Sequence, residues 1–353
     1  MRKNNKTNDK KNNEELNIES DLNIETGKKK GKKKRHIGLK IFIFILILLG
    51  IVGGLFAKRV NDLDGNWLAA LFGHNKDTLQ NLDKLYVLAM GESTGMSDTM
   101  IVCSYDPKTQ EAAMLSIPRD TFIGDSRNNA KTTDKINSLY NNGRNPEKTL
   151  EAVNELTGLN IQNYILIDTE ALVELVDIIG GVEFNVPIDM KYDDNGQDLH
   201  IDLKAGYQKL NGDQVEQLVR FRHNKDGSTY SYEYGMEDFG RMKTQREVII
   251  AVVKQTIQLK NVKEIGNILD IAEKYVQTNM NFKSLKDYIP YAINMNTDNI
   301  KAEQLPGTAK YLNGISFFLA DEEETKEMVD EMFNGKTIVE DENNIITETN
   351  TDE

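Results

Sequence analysis

The chain has one cysteine, Cys103, in 353 residues, which excludes an intrachain disulfide and any metal site built on several cysteines. Its four histidines, His36, His74, His200 and His223, are scattered, with no HExxH and no zinc spacing, so a histidine-based metal site has no support either. No glycine-lysine P-loop signature occurs, and a nucleotide is not the natural ligand. The segment DMKYDDNGQD, Asp189 to Asp198, invites a calcium-loop reading but fails it. With Gly196 at the glycine position, Lys191 stands where the first carboxylate ligand belongs, and Asn195-Gly196 reads as a hairpin turn. Positive charge is also scarce over most of the chain. Residues 1–36 hold 12 Lys and Arg against 6 Asp and Glu, which leaves about −19 on the remainder of a chain whose formal net charge is −13. An acidic body of this kind repels nucleic acid, and a cluster of arginines on it must bind an anion against the overall field.

What is present falls into five stretches. Residues 1–36 are polar, without hydrophobic period, and end in the basic run KKKGKKKR; they read as a disordered cytoplasmic segment. Residues 37–57 contain the charge-free apolar run IFIFILILLGIVGGLFA, Ile41 to Ala57, of a length that suits one transmembrane helix. A cleavable signal peptide is the less favoured reading, because Leu55-Phe56-Ala57 makes a poor cleavage site. The preceding lysines place the amino terminus inside and everything after Lys58 outside. Residues 58–83 form an extracellular stalk of mixed helical pattern, residues 84–334 the globular body, and residues 335–353 a disordered acidic tail. Within the body short apolar runs alternate with helical periods: strands over Leu85 to Met90, Thr99 to Tyr105 and Glu111 to Ile117, a helix from Pro146, a strand at Tyr164 to Ile167, an apolar helix Thr169 to Ile179, a strand at Val182 to Val186. This alternation predicts an α/β/α sandwich with a central mixed β-sheet.

Charged residues that neither the core nor helical period requires collect at strand ends: Glu92 and Asp98 in one loop, Arg119 and Asp120 in a second, Lys135 in a third. The stretch Val219 to Val248 adds Arg220, Arg222, Arg241 and Gln245 around a glycine- and tyrosine-rich loop. Arg220 and Arg222 would share a face if their segment were extended. Asp238 is a plausible N-cap for the helix that carries Arg241 and Gln245 one turn apart. Two carboxylates facing several cations suit a diphosphate, gripped by arginine forks and bridged by a magnesium ion. The plain alternative is that Arg119 and Asp120 pair with each other.

The motifs LYVLAMGESTGMSDTMIVCSYDPKTQEAAMLSIPRDT, KINSLY, LIDTEALVELVDIIGGVEFNV, LKAGYQKLNGDQVEQLVRFRH and DFGRMKTQREV, in this order over residues 85–253, resemble the LytR-CpsA-Psr family. The resemblance implies a bacterial type II membrane protein with an extracellular catalytic domain. Such a protein moves an anionic glycopolymer, such as wall teichoic acid or capsular polysaccharide, from undecaprenyl pyrophosphate to peptidoglycan. It implies magnesium on Glu92 and Asp98, and pyrophosphate on Arg119, Lys135, Arg220, Arg222, Arg241 and Gln245. Arg119, Asp120 and Asp238 stand as candidate catalytic residues, with pyrophosphatase activity as a side reaction. The chain departs from the family pattern in having Glu92 for an aspartate and Met96 for an arginine, which favours as the alternative function a non-catalytic polyprenyl-phosphate-binding scaffold or sensor. A transcriptional regulator is opposed by charge and by orientation.

Overall fold

A computed structural model describes residues 37–93, 96–141, 144–196, 199–258, 264–281 and 285–334, without the side chains of 37–44, 93, 96, 141 and 265. The expectations for 1–36, for the tail 335–353 and for the side chain of Met96 lie outside the described residues. The chain divides into two compact units, residues 1–54 and 55–353. A helix, α1 (Ile37–Asp62), runs through the predicted membrane span. From Ile45 to Phe56 its large apolar side chains are exposed, while among the described residues no helix is long and apolar enough to cross a membrane.

Past α1 the second unit opens on two short helices, α2 (Trp67–Leu71) and α3 (Lys76–Gln80), and is built on a six-stranded mixed sheet. Its strands are β1 (Leu85–Ser93), β2 (Met96–Tyr105), β3 (Ala112–Ser116), β4 (Asn163–Ile167), β9 (Val276–Thr278) and β10 (Lys301–Gln304), in the order β10-β3-β2-β1-β4-β9. β1 runs antiparallel to β2 and parallel to β4, so the expected mixed sheet is present. Side chains alternate across it as the strand period requires. Leu88 and Met90 of β1, Met100 and Val102 of β2, and Tyr164 and Leu166 of β4 enter one hydrophobic core with residues of α4 (Asn137–Asn141), α5 (Pro146–Thr157) and the helix Glu322–Phe333. Their neighbours Ala89, Ile101, Cys103, Ile165 and Ile167 face the other way.

A second core joins α6 (Thr169–Ile178), α7 (Gly212–Arg220) and α8 (Glu237–Thr256) to two hairpin pairs, β5 (Val182–Val186) with β8 (Gly206–Leu210) and β6 (Met190–Asp194) with β7 (Leu199–Leu203). Asn195 and Gly196 lie in the β6–β7 turn, as the sequence predicts. Local signals fix the helix starts. Asn145 caps α5 ahead of Pro146, Asp168 accepts from the Ala171 amide at the start of α6, and Asn211 and Gln214 form a reciprocal capping box on α7. Each cap satisfies amides that the first helical turn leaves without partners.

Three local expectations are corrected. Glu92 and Asp98 belong to strands rather than to a loop, because β1 and β2 run on to the hairpin end. Arg220 closes α7, and the chain becomes extended only at Phe221, so the two arginines straddle a helix end instead of sharing a strand face. The N-cap of α8 is Met236, which puts Asp238 inside the first turn. There a carboxylate favours the positive end of the helix without closing it.

Candidate functional site

Between the sheet face carrying Ala89, Ile101, Cys103, Ile165 and Ile167 and the helices α6 and α8 lies a cavity of about 380 Å³. Leu172 and Leu175 of α6 and Val248, Ile249, Val252 and Val253 of α8 complete its apolar wall, while Glu92, Asp98, Arg220, Arg241 and Gln245 also line it. Protein interiors pack as densely as organic crystals and leave few voids larger than a water molecule. A space of this size with a few polar groups among its lining has the character of a ligand site.

Asp98 stands at a bulge. Strict alternation would send it to the same side as Met100, into the core, the side on which Glu92 meets Tyr140. The register shifts between Gly91 and Glu92, pairing Glu92 with Ser97 and leaving Asp98 without an opposite residue. A bulge re-aims side chains in this way, and both carboxylates line the cavity. Glu92 Oε2 accepts a 2.7 Å hydrogen bond from the hydroxyl of Tyr140, a side chain only 1% exposed. Burial, with the Glu92 contact second, pushes this hydroxyl up to about 12, so it remains a donor.

The arginines form a chain of alternating charge. Arg119 Nη1 donates to Asp98 Oδ1 at 2.7 Å, and its Nε lies 3.9 Å from Asp238 Oδ2. Asp238 in turn pairs with Arg241, three residues on along α8. Arg119 therefore does not pair with Asp120, whose Oδ1 instead accepts from Lys135 Nζ at 2.9 Å. Burial lowers the Arg241 guanidinium from the ordinary arginine value, with Asp238 opposing it. Burial acts on Arg119 too, but Asp98 and Asp238 outweigh it and raise the group. Arg220 pairs with Glu216 at 2.9 Å and Arg222 with Glu237 at 3.1 Å. The Nε donors of Arg119, Arg222 and Arg241 are buried without a hydrogen-bond partner. Buried donors are ordinarily satisfied by protein or by water, and these three could serve an anion, those of Arg119 and Arg241 on the two sides of Asp238.

Gln245, expected beside the pyrophosphate, lines the cavity and also donates to the Val219 carbonyl at 3.0 Å, tying α8 to the last turn of α7. Lys135 and Asp120 are not among the lining residues; they hold each other on the adjoining turn, where Lys135 also stands over the Phe317 ring. The tyrosine-rich loop folds back on α8. Tyr230 meets Phe221 edge-on and stacks on Tyr234, whose hydroxyl donates to Glu247 at 2.7 Å. The helix Thr169 to Ile179, a candidate apolar wall from its sequence, supplies Leu172 and Leu175; missed from the sequence were Tyr140, the counter-ions Glu216 and Glu237, and the lining from β2, β4 and α8. The alternating apolar pattern that marks Ile165 and Ile167 is the same for a filled core and for a cavity wall.

Whether the site fits a magnesium ion can be judged from its donors. Among the described residues no group of three or more acidic, histidine or cysteine side chains could hold a metal by itself. Magnesium is commonly held by one or two carboxylates, with water and substrate phosphates filling the octahedron. Glu92 and Asp98 on one cavity wall meet that requirement.

The sequence model of the LytR_cpsA_psr family matches residues 61–334. The chain is 29% identical over 275 residues to Biofilm regulatory protein A of Streptococcus mutans, covering 71% of this chain and 64% of that protein. It is 28% identical over 261 residues to the polyisoprenyl-teichoic acid--peptidoglycan teichoic acid transferase TagV of Bacillus subtilis, covering 70% and 64% respectively. The chain thus aligns with somewhat under two thirds of the length of these two relatives. The crystal structure of protein gbs0355 from Streptococcus agalactiae superposes with a TM-score of 0.61 at 26% identity, over 73% of this chain and 90% of that one.

Gly240 precedes Arg241 at the point where the tyrosine loop touches α8. A methyl group there would run into the Gly235 carbonyl oxygen and the Tyr230 ring. Gly240→Ala should lower stability by about 1–3 kcal/mol, the usual cost of overpacking. Urea unfolding of the purified full-length variant measures it, and an unchanged midpoint would show that loop and helix are not in contact.

Proposed function

The chain belongs to the LytR_cpsA_psr family, and on that footing we propose that it is a membrane-anchored phosphotransferase moving an anionic glycopolymer from undecaprenyl pyrophosphate to peptidoglycan. The observation that carries this reading is an apolar cavity lined also by arginines and carboxylates. Such a lining suits a ligand with a long hydrocarbon tail and a doubly charged head. The TagV relative is a polyisoprenyl-teichoic acid--peptidoglycan teichoic acid transferase, which supports a polyisoprenyl-linked glycopolymer as the donor here.

In this reading the polyprenyl tail lies against Ile165, Ile167, Leu172 and Val248, and its diphosphate against Arg220 and Arg241, with Arg119 and Arg222 flanking. A magnesium ion on Glu92 and Asp98 would supply charge neutralisation and orientation of the phosphate oxygens. The acceptor hydroxyl forms a new bond to the phosphorus that carries the polymer. The bond from that phosphorus to the bridging oxygen breaks, and polyprenyl phosphate leaves with the electron pair. The hydroxyl proton passes to a carboxylate. Asp238, which touches both Arg119 and Arg241, is assigned this role over Asp120, which is tied to Lys135. The arginines hold charge where it develops, and such preorganised donors carry much of the acceleration in reactions of this type. Lys135 then acts through Asp120 on the turn that presents Arg119. Water in place of the acceptor would give the pyrophosphatase side reaction.

The anchor belongs to the same proposal. The apolar side chains exposed along α1 follow the basic run Lys28 to Arg35, an arrangement suited to a single-pass type II protein of the bacterial cell membrane with residues 58–353 outside.

Full-length protein in detergent, given magnesium and a polyprenyl-diphosphate glycan, should cleave or transfer the glycan, and Arg220→Ala should reduce the rate at least about 100-fold. Full activity in that variant would refute the diphosphate assignment. Binding of the lipid without turnover, both in the native chain and after Glu92→Asp with Met96→Arg, would establish the scaffold reading instead. Leu172→Trp, which fills part of the apolar wall, should weaken a long polyprenyl diphosphate by about tenfold while leaving inorganic pyrophosphate binding within twofold; equal loss for both ligands would place the tail elsewhere. For topology, protease added to intact cells should digest the globular unit and spare the amino terminus. A fully protected chain would contradict the outside placement.

A further inference from the structure

Glu92 is held by two groups of opposite character. Its Oε2 accepts from the buried Tyr140 hydroxyl at 2.7 Å, and its Oε1 lies 3.8 Å from Nη2 of Arg144. The first contact is a short hydrogen bond to a fixed partner. The second is longer than a hydrogen bond and involves a guanidinium whose side chain is 69% exposed; exposed pairs of this kind contribute little to stability.

The backbone of Arg144 leads directly into a capped helix start. It has a φ of 49°, in the left-handed region that arginine seldom adopts. Asn145, next in the chain, caps α5, and Pro146 opens that helix. The result is a base tied to the helix start and a loosely held head, beside a carboxylate that lines the cavity.

We propose that Arg144 is a further diphosphate-binding residue, one that stands on Glu92 while no metal is bound and passes to the phosphate oxygens once a metal takes that carboxylate. The inference rests on the reading of the cavity as a magnesium-dependent diphosphate site. Tyr140 keeps Glu92 in place throughout, because its hydroxyl occupies the other oxygen. Arg144 and a divalent cation compete for Oε1, so the two cannot both be held there. Released from Glu92, the guanidinium would be free to take phosphate oxygens, and an arginine fork binds phosphate better than it binds a single distant carboxylate oxygen. Arg144 would thus lower metal affinity in the empty protein and raise ligand affinity in the loaded one.

This sign reversal gives the test. Full-length wild type, Arg144→Gln and Arg144→Lys are titrated in detergent by calorimetry, first with magnesium chloride alone and then with geranylgeranyl diphosphate at saturating magnesium. Arg144→Gln should bind magnesium about two- to fivefold more tightly and the diphosphate about five- to tenfold more weakly, with Arg144→Lys between it and wild type in both titrations. Any other pattern overturns the role: weakening of both ligands marks a structural effect, and unchanged diphosphate affinity marks a bystander. If wild type itself fails to bind the diphosphate, the diphosphate reading falls and this inference with it, an outcome distinct from a wild type that binds and a variant that matches it.

Discussion

Arg241 is charged in a place where burial works against charge. Its side chain is 12% exposed, its Nε has no hydrogen-bond partner, and desolvation pulls its guanidinium down. What sustains it is Asp238 beside it, and beyond that Arg119 and Asp98, in a sequence of charges that alternate in sign. An uncompensated buried charge is among the costliest features a fold can carry. The alternation lowers that cost without fully neutralising the group, since donors are left over. Those leftover donors, the Nε groups of Arg119 and Arg241, are where the proposed diphosphate would bind.

The backbone features around the site serve the same arrangement. The β1–β2 bulge brings Asp98 to Arg119 instead of burying it under the sheet. Gly240 lets the tyrosine loop close on α8, so that Arg222 and Glu237 meet at one end of the loop while Phe221 and Tyr230 pack beneath it. Gln245 fixes α8 to the end of α7, which keeps Arg220 and Arg241 on one cavity. The apolar cavity and the charged chain consequently share α8 and the β1–β2 hairpin, with β4, α6 and α7 adding to the cavity and the turn that carries Arg119 adding to the chain.

Much of the fold was legible locally. The alternating apolar runs named β1 to β5 within a few residues, and the helical stretches from Pro146 and over Thr169 to Ile179 located α5 and α6, because propensity, caps and turns depend on residues adjacent in the chain. The polarity of the site was legible as well: Glu92, Asp98, Arg119 and the arginines of Val219 to Val248 stood out as charges without a core or helical reason. Their partners were not. The sequence offered Asp120 to Arg119 by adjacency, whereas the folded chain gives Arg119 to Asp98 and Asp238, which lie 21 residues before it and 119 after it. Nor could alternation tell that Asp98 escapes the core, since a bulge shifts the register without altering composition.

The sequence by itself determined which residues carry charge, which stretches form most of the central strands and their helices, and the family to which their order belongs. Tertiary structure decided which charges meet and which apolar residues line a space rather than fill one. The physical reason is that propensity, capping and periodicity act over a few residues. Ion pairing in a low dielectric and the filling of a cavity depend instead on chain segments that only the packed sheet and helices bring together.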